Sequence, residues 1–208
     1  MGWLILNCRL IASCLFLFLW GNSANSAQRN DVNIVIAMDC SWSVNSSEYK
    51  LQIAGIAAAF SDPEILLAIR NGNFGQIGVT LTQWSTRQSQ IISVPWTQIA
   101  SPSDGISFAS KVIRARRQTL EGGTSISGAL IHAKRLLENE PVRAERQIVD
   151  VISDGENNNG ERIESVRDLL IIQGITINGL AIENEIHWLH YYLRNRVIGG
   201  FGSFVEKA

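Results

Sequence analysis

The chain has 208 residues, 46% of them hydrophobic, and a formal net charge of −1. That is one domain of ordinary size with enough apolar material for a core. No basic block occurs, which excludes nucleic acid as a partner on electrostatic grounds.

Residues 1–26 read apart from the rest. Arg9 is their only charge, the apolar run from Ile11 to Trp20 is broken only by Ser13 and Cys14, and Ala24-Asn25-Ser26 has the small-x-small pattern of a cleavage site. The run is shorter than the roughly 20 residues that span a bilayer, so a signal peptide is expected, and with it an exported protein, periplasmic or extracellular. The alternative is an uncleaved N-terminal anchor, which would confine any membrane contact to this segment. Cys8 and Cys14 fall in the leader and leave Cys40 alone in residues 27–208. An exported domain with one thiol has no internal disulfide and depends on its core.

Residues 33–38, with an apolar run from Ile34 to Met38 that climbs to Asp39, are expected as a strand buried on both faces. Beyond it the chain turns small and hydroxylic at Ser41 and Ser43. Residues 46–60 carry Tyr49, Ile53, Ile56, Ala57 and Phe60 at helical spacing, with Ser46 and Ser47 as capping candidates. A second helix over 63–70 has Pro63 at its start and stops at Asn71-Gly72. Strands are expected at 76–84, which alternates, and at 89–95. A helix over 104–117 turns Phe108, Val112 and Ile113 inward, and its basic end (Arg114, Arg116, Arg117) reads as a solvated last turn suited to the helix dipole. Glu121-Gly122-Gly123-Thr124-Ser125 leads into a helix reaching Glu140 and stopped by Pro141. There follow a strand at 146–153 ending in Asp154-Gly155, a helix at 161–173, a strand at 175–182, a helix at 186–196 and the start of a last strand at 202–205. The alternation predicts an α/β fold: a Rossmann-like, mostly parallel central sheet with helices on both faces, formed by residues 27–208.

Three loops then fall at the carboxyl ends of strands or at a helix entry, where an open sheet keeps its binding crevice. They are Asp39-x-Ser41-x-Ser43, Gly122-Gly123-Thr124 and Ser153-Asp154-Gly155. Oxygen side chains beside small residues make a hard-cation site in outline. Singly, each has a structural explanation: serines cap helices, Gly-Gly-Thr starts one, and Asp-Gly turns a chain. Their joint occurrence in this order points to a ligand.

In this set the chain resembles the von Willebrand factor type A (VWA) domain, whose metal-ion-dependent adhesion site (MIDAS) is written D-x-S-x-S, then Thr, then Asp. Asp39, Ser41, Ser43, Thr124 and Asp154 match it without departure in residue type. Val79-Thr80-Leu81-Thr82-Gln83-Trp84-Ser85, Val94-Pro95-Trp96, and Tyr191-Tyr192 with Val197-Ile198-Gly199-Gly200 look like a bacterial subgroup of exported VWA-like proteins without assigned function. The resemblance implies that Ser41, Ser43 and Thr124 contact a divalent ion (Mg²⁺, or Mn²⁺ or Ca²⁺) through hydroxyl oxygens, with Asp39 and Asp154 acting partly through water. It also implies a protein partner whose acidic side chain completes the coordination sphere, so recognition is expected rather than catalysis. A VWA domain ordinarily has a helix after its final strand, and this chain stops at Val205-Glu206-Lys207-Ala208. Part of one sheet face is therefore expected to lie uncovered.

Other residues carry competing readings. Trp42, between the two serines, is either a recognition contact at the rim or a packing residue. Cys40 is expected to be an inert small hydrophobe. Asp150, inside a central strand, needs a partner such as a backbone amide or a basic side chain. His187 and His190 share a helix face but lack further ligands by sequence, and Glu156-Asn157-Asn158-Asn159 reads mainly as a solvated turn. The enzyme alternative is a Mg²⁺-dependent phosphotransferase with Asp39 as nucleophile and Asp154 as metal ligand. Against it, Ser41 stands where that chemistry wants a second carboxylate, and no lysine is placed to balance the phosphate. No G-x-S-x-G occurs, which disfavours a serine hydrolase.

Overall fold

The apolar run at 34–38 belongs to a longer strand, β1 (Arg29–Asp39), in a computed structural model that describes residues 28–119 and 122–208. The expected signal peptide lies outside the described residues. Val35 and Ala37 of β1 face one helical layer and Ile36 and Met38 the other, all of them buried. The chain continues through α1 (Ser46–Ala59), α2 (Pro63–Arg70), β2 (Ile77–Trp84), β3 (Gln90–Ile99), α3 (Pro102–Arg114) and α4 (Ile126–Asn139). It ends with β4 (Arg143–Ser153), α5 (Ile163–Ile172), β5 (Ile175–Ala181), α6 (Leu189–Tyr192) and β6 (Val205–Lys207). The six strands lie in the order β3-β2-β1-β4-β5-β6, all parallel except the β2–β3 hairpin. The mostly parallel α/β sheet expected from the alternation of elements is the fold observed.

Several local expectations are corrected, each for a physical reason. β2 is buried at all eight positions rather than alternating, because helices cover both faces of a central parallel strand. β3 runs on through Pro95, which a sheet-edge strand tolerates since the missing N–H breaks no inner ladder. Asn45, not Ser46 or Ser47, caps α1: its Oδ1 accepts the N–H groups of Ser47 (2.8 Å) and Glu48 (3.1 Å), and Glu48 answers by accepting the Asn45 N–H at 2.8 Å. In α3 the inward stripe is Gly105, Phe108, Ala109 and Val112, so Ile113 falls off it and is 57% exposed. The helix expected at 186–196 is short. After α6 the chain widens into a π turn, Leu193–Val197, closed by the Ile198 N–H donating to the Leu193 carbonyl at 3.0 Å, and both Leu193 and Val197 reach the core.

Helices α1, α2 and α3 pack on one sheet face, α4, α5 and α6 on the other. On the first face the layer stops short of β5, leaving a groove of about 600 Å³ over Ile34, Ile152 and Leu180, bordered by Ile56, Phe60 and Phe204. Asp150 and Asn178, paired across β4 and β5, are its polar spot. The Asp150 partner is thus a side-chain amide, Asn178 Nδ2 donating to Oδ1 at 2.8 Å, rather than a backbone amide or a base. Burial still pushes the Asp150 carboxyl above its ordinary range. Among the described residues no single helix is long and apolar enough to cross a membrane.

Candidate metal centre

Strand order reverses direction at β1, which has β2 on one side and β4 on the other. The crevice at such a switch point lies outside the carboxyl ends of the strands. Asp39 is the last residue of β1, Ser153 the last of β4, and Asp154 the next. Thr124 precedes Ser125, the N-cap of α4. All five residues singled out by the sequence therefore meet at one edge of the sheet.

Their contacts form a chain. The Ser41 N–H donates to Asp39 Oδ1 at 2.7 Å, Ser41 Oγ and Ser43 Oγ lie 3.3 Å apart, and Thr124 Oγ1 donates to Ser41 Oγ at 3.4 Å. The Ser43 hydroxyl is close enough to the Asp154 side chain to oppose the upward shift of its carboxyl. Asp39 is fully buried, and its second oxygen accepts from Ser153 Oγ at 2.8 Å. Asp154 is 5% exposed, yet its Oδ1 has no hydrogen-bond partner. Such an atom is costly to bury unless something positive meets it.

Electrostatics point the same way. Burial raises the Asp39 carboxyl well above its ordinary range and the charge of Asp154 raises it further, against hydrogen bonds from Ser41 and Ser153. Asp154 is raised by burial, with the charges of Glu48 and Glu185 adding to it and its hydrogen bonds opposing. Among the described residues no base pairs with these two neighbouring buried carboxylates. The guanidinium of Arg117 faces elsewhere: it donates to the carbonyls of Val44 (2.7 Å), Cys40 (2.8 Å) and Ser41 (2.9 Å). Among the described residues no three or more His, Cys, Asp or Glu side chains converge to hold a metal. What converges here is hydroxyls around two carboxylates, a donor set that fits a hard divalent cation.

Arg117 was expected as part of a solvated helix end. Instead α3 stops at Arg114, and Arg117 reaches back to clip the loop carrying Ser41 and Ser43. The Asn157-Asn158-Asn159 run is likewise no free turn. Asn157 Oδ1 accepts from the Ser127 N–H (2.9 Å), Asn158 Oδ1 from the Thr124 N–H (2.8 Å) and Asn159 Oδ1 from the Arg87 N–H (2.8 Å), which ties the loop after β4 to the entry and first turn of α4 and to the β2–β3 turn. A Cβ on Gly123 would lie 2.8 Å from Asn158 Oδ1, so the glycine there is a packing requirement. Three consecutive asparagines beside a candidate ligand were the available signal, since Asn side chains so placed commonly bond backbone groups. Cys40 is buried and its thiol is pushed up to about 12, chiefly by burial, consistent with an inert hydrophobe. His190 pairs with Glu183, and His187 is exposed apart from it. Trp42 is 77% exposed and stands at the rim.

Residues 29–208 match the model of a protein family described as a protein of unknown function, DUF1194. The chain belongs to this family. A comparison with curated proteins finds no match. Among solved structures the fold is that of VWA domains. Proximal thread matrix protein 1 from the mussel byssus is similar with a TM-score of 0.59 at 17% identity, over 86% of this chain and 42% of that one. The same mussel protein with a zinc-occupied MIDAS motif gives 0.59 and 17%, over 85% and 41%. The vWF domain of the type V pili tip protein Mfa5 from Porphyromonas gingivalis gives 0.57 at 9% identity, over 86% and 90%. This DUF1194 chain therefore spans less than half the length of the mussel protein, and identities this low carry the fold alone.

Proposed function

We propose that this protein is an exported, non-enzymatic binding module that recognises a protein partner through a divalent cation. Asp39, Ser41, Ser43, Thr124 and Asp154 are the residues that would hold the ion, Mg²⁺ in the first instance, with Mn²⁺ and Ca²⁺ of the same oxygen-seeking class. The observation that carries the reading is the clustering of the Ser41, Ser43 and Thr124 hydroxyls beside two buried carboxyls, Asp39 and Asp154, of which Asp154 Oδ1 has no hydrogen-bond partner among the described residues. When bound, the ion supplies an electrophilic centre for an acidic side chain of the partner. The chain's own part is to present oxygens of low total charge: three of the five side chains are neutral and only two are carboxylates, so the ion gathers no excess negative charge and can still take an acidic ligand. Leader-like residues 1–26 support export, as does likeness to a pilus-tip domain and a byssus matrix protein.

The phosphotransferase alternative is disfavoured by the surroundings of Asp39. Both its oxygens accept hydrogen bonds, from Ser41 and Ser153, and the residue is wholly buried. A nucleophile needs an open face toward its substrate.

Isothermal titration calorimetry with Mg²⁺ tests the reading. The parent is expected to bind, and Ser41→Ala and Asp154→Ala to lose binding while keeping a cooperative melt. Unchanged Mg²⁺ affinity in both variants would refute the assignment.

A further inference from the structure

Beside the candidate centre is a pocket of about 490 Å³. Ser43 and Thr124 form its border with the centre, and the remaining lining comes from Trp42, Glu185, Asn158 and the Gly122-Gly123 turn. The pocket is held in shape: the Trp42 N–H donates to the Gly122 carbonyl at 3.0 Å, and Asn158 is bonded to the Thr124 backbone through both its side chain and its own N–H.

Its chemistry is one-sided. The Trp42 indole is 77% exposed on a backbone that is anchored, a position where an apolar ring of that size normally finds cover. Glu185 is exposed and has neither an ion pair nor a hydrogen bond among the described residues, while the neighbouring acids are engaged: Glu48 with Asn184 and Asn45, Glu183 with His190 and Lys207. Glu185 is close enough to the candidate centre for its charge to add, after burial and Glu48, to the upward shift of Asp154. Among the described residues no basic side chain lines the pocket. An acidic ligand approaching alone therefore meets Glu185 as a repulsive neighbour, and one that brings a cation meets it as an attractive one.

We infer that the pocket takes a Lys or Arg side chain adjacent in the partner's sequence to the Asp or Glu that reaches the metal centre. The cation lies against the Glu185 carboxylate and over the Trp42 indole face, where ion pairing and cation–π attraction act together. Specificity is then a two-point reading of an acidic–basic pair in a peptide. This rests on the metal-dependent binding proposed above.

The test uses the Mg²⁺-saturated protein and three acetylated, amidated hexapeptides that differ only in the residue after a central Asp: Lys, Ala or Glu. The Asp-Lys peptide is expected to bind about tenfold tighter than Asp-Ala, and Asp-Glu weakest. Trp42→Ala and Glu185→Gln, both at exposed positions, should each bring Asp-Lys down to about the Asp-Ala level. Mg²⁺ affinity, titrated without peptide, should stay at the parent value in Trp42→Ala and fall by no more than about threefold in Glu185→Gln, which removes one negative charge near Asp154. Equal binding of the three peptides, a Lys preference that survives both substitutions, or no peptide binding to Mg²⁺-loaded protein overturns the pocket assignment while leaving the metal centre standing. Absence of Mg²⁺ binding in the parent overturns both, and the peptide-free titration tells the two failures apart.

Discussion

Replacing Arg117 with Ala removes a guanidinium that holds three carbonyls of the loop from Cys40 to Val44, at 2.7–2.9 Å. A hydrogen bond to a charged group contributes about 1.5–3 kcal/mol, and here the losses are not additive because all three bonds share one guanidinium and one loop. A net destabilisation of about 2–4 kcal/mol is expected, read as a shift of the urea midpoint at constant m-value. The effect on ion binding follows from the same loop, which carries Ser41 and Ser43. Fixing one residue's backbone costs roughly 1–2 kcal/mol, so if binding must re-order even one residue, Mg²⁺ affinity falls about tenfold. Calorimetric titration of Mg²⁺ into Arg117→Ala measures this. Should that variant fail to fold, Arg117→Lys carries the test, since one compact ammonium does not span three carbonyls as the planar fork does. A folded variant whose Mg²⁺ affinity stays within about threefold of the parent would refute the claim that Arg117 positions the ligand loop.

Two further outcomes follow from the structure. The Asp39 and Asp154 carboxyls are raised when folded, so the metal-free native state holds more protons than the unfolded chain as pH climbs above the ordinary aspartate value of 3.8. Their contribution to stability is thus present at low pH and lost as pH rises, and the EDTA-treated protein should fall further in Tm between about pH 5 and about pH 8 than the Mg²⁺-loaded one. Parallel curves for the two forms would contradict the uncompensated carboxylate pair. Separately, Gly55 lies mid-helix in α1 at the groove, with open space around the position of a Cβ. Gly55→Ala should stabilise the protein by about 1 kcal/mol through helix propensity alone, and a loss in chemical denaturation would mean that the groove is occupied in solution.

The candidate ligand residue types were legible because they sit on strand ends that the sequence marks by β-branched runs stopping at Asp39 and Ser153. Ser41 and Ser43 follow the first run within four residues, so the motif needs no tertiary information to be seen. Asn45 as the α1 cap was also within reach, since Glu48 three residues on completes the capping box. Arg117 was not legible. A basic residue beyond a helix end looks solvated until a loop far back in the chain is brought beside it. Ser153 and the three asparagines have the same difficulty: their partners lie from 30 to 114 residues away, and polar side chains of this size bond whatever backbone the fold supplies. Ile113 missed the core because helix phase depends on where α3 starts, and the Ser101 cap with Pro102 sets that two residues before the expected start.

By itself the sequence determined the alternation of strands and helices, and with it a parallel sheet, because buried strands must be apolar on both faces and their crossovers amphipathic. It also determined which oxygen-bearing side chains stand at the ends of β1 and β4 and ahead of α4. Only the tertiary structure decided that these three places coincide, since the strand order β3-β2-β1-β4-β5-β6 puts β4 directly beside β1. It alone decided, too, that Arg117 turns to backbone carbonyls and that, among the described residues, no base pairs with the two buried carboxylates. Charge compensation depends on distance in space, and spacing along the chain does not encode it.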